Sequence, residues 1–277
     1  MPISSFPNPV KNDDFHCDGN EWVAINVCLI PPTALSNIAV DLSNQLCESS
    51  LYTLRTSGIE SPLQPKRGFP HVTLRQLFCH KDNIEPLCIA VQSSMKMELQ
   101  TQQQQTGTSS TLCNELNMLE IVEGPVFDRQ ASPPGSTVTE DVLLPNIRLK
   151  KHNTILQRLH EVTMTSTNDY VATSDQVNKI IKATVVVGGE EDLSVFHPLW
   201  PGNTASHNWT ASFTDMSAFE RFDPHITLGA AYRSKLTSSN LNVLGNSISF
   251  PLRGSKVCIS RMGNCCSCFE VLAHMDL

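Results

Sequence analysis

The sequence predicts an α+β fold made of two pattern-related halves. Three observations lead there. Pro70-His71-Val72-Thr73-Leu74 recurs as Pro224-His225-Ile226-Thr227-Leu228, 154 positions apart (71 to 225). Each copy reads as a strand, because Val, Ile and Thr favour strands and polar and apolar residues alternate through it. Each copy also follows a strand-then-helix pattern, and the last thirty residues are short apolar runs parted by glycine turns.

Taken in order, residues 1–20 lack periodicity and read as an irregular lead-in. Residues 22–30 form a mostly apolar run stopped by Pro31-Pro32, a buried strand. Thr33 is placed to cap a helix over 34–48, whose Leu35, Ile38, Ala39, Leu42 and Leu46 recur at spacings of three and four. Gly68-Phe69-Pro70 leads into the first motif strand, extending to 78. Asp82 or Asn83 then caps a helix over 84–97, with Ile84, Leu87, Val91 and Met95 on one face. Residues 100–111, with Gln102 to Gln105, read as a flexible solvated connector. A strand over 117–122, a loop insertion over 131–139 and a short strand over 142–144 follow. The helix over 153–164 is marked by Ile155, Leu156, Leu159 and Val162, with His152 and His160 assigned to a solvated face. Residues 182–187 read as a strand and 188–217 as a loop-rich insertion carrying His197 and His207. After the second motif, strands are expected at 248–252, 256–260 and 269–273, with turns at Gly254 and Gly263. A length of 277 residues suits one large domain or two lobes.

The composition, 40% hydrophobic and 17% charged over 277 residues, suits a globular chain rather than a disordered one. A net charge of −7 argues against coating long duplex nucleic acid, though not against holding one small phosphoester locally. No signal-peptide pattern opens the chain, and no run reaches the ~18 apolar residues of a membrane span. The expectation is a cytoplasmic or nuclear protein without membrane partners. Of the ten cysteines, Cys28, Cys47, Cys79, Cys88, Cys113 and Cys258 stand singly among apolar residues and read as small buried hydrophobes. Cys265-Cys266-Ser267-Cys268 contains one metal-ligand spacing but has no second pair to complete it, so free thiols near a turn are expected and no metal is assigned.

In a strand, residues two apart share a face. His71 and Thr73 therefore project together, as do His225 and Thr227, and simple alternation carries Arg75 to the same face as Thr73. At the matching position after Thr227 stands Gly229. With its ordinary pKa near ~6.5, histidine serves as either acid or base around neutral pH. The plain alternative is a hydrogen-bonded structural histidine in each strand.

At these residues the chain resembles the two-histidine (2H) phosphoesterase superfamily, which includes the RNA 2′,3′-cyclic phosphodiesterases also called 2′-5′ RNA ligases. Its mark is two His-h-Thr/Ser-h motifs, h being hydrophobic, and both are complete here. The resemblance covers residues 21–277. It implies two pseudo-symmetric lobes of antiparallel sheet plus helices around a central cleft, each lobe giving one motif. It implies a metal-independent phosphoesterase without cofactors, acting on a cyclic phosphate or 2′-linked phosphodiester of an RNA end or nucleotide. His71 and His225 would be the catalytic acid and base, in either assignment. Thr73 and Thr227 would bind phosphate oxygens, and Arg75 would bind phosphate or border the cleft. Phe78 and Tyr232 either stack on a base or belong to core and rim. Lys66 and Arg67 either attract the anion or lie on a solvated surface. The motif separation exceeds that of compact members, which bears on substrate choice. A nucleotide- or RNA-end-binding module that has lost turnover is the competing reading. Oligomeric state is left open.

Overall fold

Antiparallel pairing governs the architecture. A computed structural model of the chain describes residues 21–55, 62–105, 118–127, 142–151, 154–184, 195–202, 204–233, 236, 244 and 248–277. Its first strand, β1 (Trp22–Ile30), is buried on both faces. Val23, Ile25, Val27 and Leu29 enter one core, while Ala24 and Cys28 enter two smaller clusters on the other side. Asn26 lies between those two and carries a polar group into the sheet.

The remaining strands are β2 (Tyr52–Leu54), β3 (Arg67–Gly68), β4 (Val72–His80), β5 (Met118–Phe127), β6 (Val142–Leu143), β7 (Pro145–Leu149), β8 (His225–Thr227), β9 (Gly229–Tyr232), β10 (Ile248–Pro251), β11 (Lys256–Gly263) and β12 (Ser267–Asp276). An eight-stranded sheet runs β10-β5-β7-β8-β4-β1-β11-β12, and a four-stranded one runs β3-β2-β9-β6. Every pairing in the larger sheet is antiparallel. The two motif strands, β4 and β8, are its central neighbours, with three more strands outside each. Helices α1 (Thr33–Leu46), α2 (Ile84–Gln105) and α3 (Ile155–Ser166) cover one face through Leu35, Leu87 and Leu159, all wholly buried. Helices α4 (Ser174–Thr184) and α5 (Thr204–Ser217) lie beyond the other side of β1 and β4, where Ile180 packs with Phe78 and Phe196. The chain is therefore α+β. No described helix is long and apolar enough to cross a membrane.

Several sequence expectations change. Pro32, not Thr33, occupies the N-cap of α1 and makes no side-chain cap bond. Ahead of α2, a turn over Lys81–Asn83 is capped by His80, whose Nδ1 accepts from the Asp82 N–H, so neither Asp82 nor Asn83 is the cap. Helix α2 itself continues through Gln105. The glutamines to that point are helix rather than connector, consistent with glutamine's good helix propensity. Residues 106–111 lie outside the described set, as do 1–20, 131–139, His152, Cys113 and 188–194. Strand β7 was not expected, because it opens on Pro145. Proline is tolerated at a strand's first residue, where no ladder donor is lost. Residues 182–184 end helix α4 instead of starting a strand, and 185–187 are outside the described set. Within the expected loop, 204–217 is helix α5. Its Ser, Thr and Asn content is poor for helices, but Ser206, Thr210 and Phe213 bury one face against the sheet. The described cysteines are all free thiols, and Cys265 is the exposed one among them.

His160 departs most from expectation. It is wholly buried rather than solvated. Its ring lies flat on Phe222, with centroids 4.1 Å apart and planes within 5°. Nδ1 donates to the Leu74 carbonyl at 2.7 Å, and Nε2 accepts from the Phe219 N–H at 2.8 Å. One neutral imidazole thus ties α3 to β4 and to the segment preceding the second motif. Burial pushes its pKa down to about 4.

His71 and His197 are lowered to about 4 by the same cause. All three stay neutral in the native state, whereas the unfolded chain protonates them below about 6.5. Their contribution to stability is complete above about pH 6.5 and is lost as pH falls toward 4, with a slope near 1.4 kcal/mol per pH unit for each fully unequal proton. His160→Ala strands the buried Leu74 carbonyl and the part-buried Phe219 N–H, and is expected to cost about 2–4 kcal/mol at pH 7. It should also flatten the stability profile between pH 6.5 and 4.5 by up to about one proton. Urea denaturation of both proteins across that range measures this, and parallel profiles would contradict it.

Candidate active site

The site is built by register. Strands β4 and β8 pair antiparallel with Val72 opposite Ile226. These are the same position of the repeated phrase, so a local two-fold axis passes between them. One step either way sets His71 opposite Thr227 and Thr73 opposite His225. Directly opposed residues share a face, with Cβ atoms about 4.5–5.5 Å apart. All four polar side chains therefore leave the sheet on one side, while Val72 and Ile226, both 0% exposed, enter the core on the other.

The pinning row is wider than two strands. Val257 faces Leu29, Leu29 faces Val72, Val72 faces Ile226, and Ile226 faces Ile147. This unbroken buried apolar row crosses five strands and fixes the polar rows beside it.

Each imidazole is held alike. His71 Nδ1 lies 2.8 Å from the Phe69 carbonyl, and His225 Nδ1 lies 2.8 Å from the Asp223 carbonyl. A carbonyl only accepts, so Nδ1 carries the proton and, in the neutral ring, Nε2 keeps its lone pair at the free end. Between each histidine and its acceptor stands a proline, Pro70 or Pro224. Proline biases the residue before it toward extended backbone, which helps aim that carbonyl at the ring. The repeated proline is thus part of the imidazole mount.

Solvation separates the two copies. His71 is 6% exposed, and burial drives its pKa down to about 4, the charge on His225 pushing the same way and the Phe69 carbonyl opposing. His225, Thr73 and Thr227 are half-buried. Thr73 Oγ1 accepts a 3.4 Å hydrogen bond from Asn26 Nδ2, which also donates to the Cys266 carbonyl at 3.3 Å. With Asn26 on its lone pair, the Thr73 hydroxyl is left to donate. Asn26 Oδ1 and Gln76 Oε1 are buried beside it with no hydrogen-bond partner among the described residues.

Arg75 does not follow simple alternation. Arg75 faces Val27 and Thr73 faces Cys28, so Leu74 is an extra residue in β4. This bulge turns Arg75 to the Val27 side, away from Thr73. It is 1% exposed, and its Nη1 donates to the Met164 carbonyl and to Thr167 Oγ1. A cation there complements the C-terminal end of α3. Burial lowers its pKa to about 10.

Phe78 is core, packed near His207. Tyr232 is 40% exposed, opposite Val142. Lys66 and Arg67 are exposed, with Lys66 Nζ donating to the Ser50 carbonyl at 2.6 Å. Gly229 has a structural task. Its φ is +142°, and a Cβ there would lie 2.4 Å from the Tyr52 carbonyl oxygen, so glycine allows the chain to pass from β8 into the second sheet.

Two residues of the motif face were missed in the sequence. Asn146 faces Thr227 and Arg148 faces His225, both from β7. The signal was available as the alternation Asn146-Ile147-Arg148-Leu149, hidden by its shortness and by Pro145.

No protein-family model matches the chain, and a search of the curated proteins gives no match.

The imidazole mount has a spectroscopic consequence. A long-range ¹H–¹⁵N spectrum at pH 7.5 is expected to show His71 with Nδ1 protonated and Nε2 bare, unchanged until the pH nears 4. The opposite tautomer, or titration near 6.5, would contradict the geometry.

Proposed function

We propose that this chain is a metal-independent phosphoesterase of the two-histidine superfamily, acting on a cyclic phosphate or 2′-linked phosphodiester of an RNA end or nucleotide. The observation that carries the reading is the Val72–Ile226 pairing, which brings both His-x-Thr motifs to one face with matching imidazole mounts. The layout of the larger sheet adds support. Four strands lie on each side of the motif boundary, and β1 and β7 each run antiparallel beside a motif strand before leading to α1 and α3. That arrangement suits two pseudo-symmetric lobes meeting at a cleft.

His71 is the base. Desolvation keeps it neutral at physiological pH, and its free Nε2 takes the proton from water or a ribose hydroxyl as that oxygen attacks phosphorus. His225, which is half-buried, is the acid that protonates the leaving oxygen from Nε2. For the reverse reaction the roles exchange. Thr73 and Thr227 donate hydroxyl hydrogens to the non-bridging oxygens, where charge grows in the transition state.

Hydrolysis in EDTA of a panel of 2′,3′-cyclic mononucleotides, an RNA ending in 2′,3′-cyclic phosphate, and a 2′-5′ oligoadenylate tests this reading. His71→Ala and His225→Ala are each expected to lower kcat by about 10²- to 10⁴-fold while folding is retained. Thr73→Val and Thr227→Val should each cost on the order of 10²-fold. The acid limb of the kcat/KM profile should fall near pH 4, where His71 takes up its proton. Activity that survives either histidine substitution, or that needs a divalent metal, would overturn the proposal. Binding without turnover on any substrate would favour a nucleotide-binding module.

A further inference from the structure

Strand β1 carries one polar side chain into the buried part of the sheet. Asn26 is 0% exposed, in a strand that is otherwise Trp, Val, Ala, Ile, Cys and Leu. Asparagine is a poor strand former, and a buried polar group is costly unless it is hydrogen-bonded. Asn26 is satisfied only in part, since its Oδ1 has no partner among the described residues. Packing alone would be served as well by an aliphatic side chain of similar shape.

The nitrogen end of the amide is fully engaged. Nδ2 donates to the Cys266 carbonyl at 3.3 Å and to Thr73 Oγ1 at 3.4 Å. These two contacts act in series. A carbonyl oxygen only accepts, so the nitrogen end of the amide must face Cys266, because the flipped amide would set oxygen against oxygen. The second Nδ2 hydrogen then falls to Thr73, whose oxygen accepts it. The hydrogen of the Thr73 hydroxyl is left for a group on the motif face.

The Cys266 carbonyl is held from outside the motif strands. It belongs to the turn over Asn264–Cys266 that joins β11 to β12. Cys265 and Cys266 have φ of +57° and +54°, a left-handed backbone that non-glycine residues adopt only under constraint. Helix α5 and the segment before it supply that constraint. Ser206 Oγ donates to Asn264 Oδ1 at 2.7 Å and accepts from the Cys265 N–H at 3.1 Å, and the Cys266 thiol donates to the Ser206 carbonyl at 3.7 Å. The Asn264 N–H donates to the Trp200 carbonyl at 3.0 Å.

We propose that Asn26 is a positioning residue of this site: it sets the Thr73 hydroxyl as a donor to the substrate's phosphate oxygens and is itself oriented by the left-handed turn at Cys266. The proposal rests on the phosphoesterase reading above and deepens it. A fixed donor matters most where charge grows, in the transition state, so Asn26 acts on kcat more than on KM.

Asn26→Leu keeps the shape and removes the amide. It is tested in a cycle with Thr73→Val on the substrate that wild type turns over best. Alone it is expected to lower kcat about tenfold with KM within about twofold, less than the loss in Thr73→Val because the hydroxyl is still present. In the Thr73→Val background it should change kcat by less than about twofold, because no hydroxyl is left to orient. An equal loss in both backgrounds, or no loss in either, overturns the role of Asn26 and leaves the phosphoesterase reading standing. A wild type that turns over no substrate overturns both. If Asn26→Leu does not fold, the Asn26 side-chain amide signals of wild type and Thr73→Val test the bond itself. The proton bonded to Thr73 should move upfield in the variant while the one on Cys266 stays, and two unmoved signals overturn the proposal.

Discussion

The pairing of Val72 with Ile226 is the constraint on which the site depends. A strand shifted by one residue turns every side chain to the other face. Such a slip between β4 and β8 would drive an imidazole and a hydroxyl into the core beneath α1, α2 and α3, and would lift an aliphatic side chain into the motif face. The apolar row from Val257 to Ile147 opposes that slip on five strands together. Hydrophobic burial, which carries no chemistry of its own, thereby sets the geometry of the polar groups. The same pairing explains why two motifs so far apart in sequence meet with two-fold symmetry.

Against that symmetry stands one asymmetric device, the bulge at Leu74. It removes Arg75 from the motif face and frees the Leu74 carbonyl from the β1 ladder. His160 takes that carbonyl and, through its other nitrogen, holds the backbone just before the second motif. A buried neutral ring thus adds to the strand pairing that joins the two halves. The environments of the two motif histidines differ accordingly. His71 is buried and kept neutral, whereas His225 is only half-buried, opposite Arg148. A symmetric sequence motif thereby holds two imidazoles in unlike surroundings because burial differs.

Much of this was legible in the chain. The repeated phrase, the strand at 22–30 and the first helix followed from periodicity, and the faces of His71, Thr73, His225 and Thr227 followed from alternation. What was not legible depended on partners distant in sequence. A bulge is defined by the strand opposite, so nothing in Thr73-Leu74-Arg75 announces it. Helix α5 has residues that resist helix formation locally and is helical because of what it buries. His160 was misjudged for a different reason. It stands four residues after Leu156 and next to Leu159, on the buried side of its own helix, so its periodicity was a better guide than its polarity. The polar alternation of β7 was present too, but a strand of five residues opening on proline gives too little pattern to outweigh a turn.

The central claim is that the two histidines serve one phosphate. It is tested most directly by following the imidazole Cε1–H resonances of His71 and His225 during titration with the best-bound nucleoside 2′-monophosphate. Both resonances are expected to move with a single dissociation constant and to saturate together at one equivalent. Movement of one ring alone, or two constants that differ beyond error, would show that the pair does not share a ligand and would contradict the account.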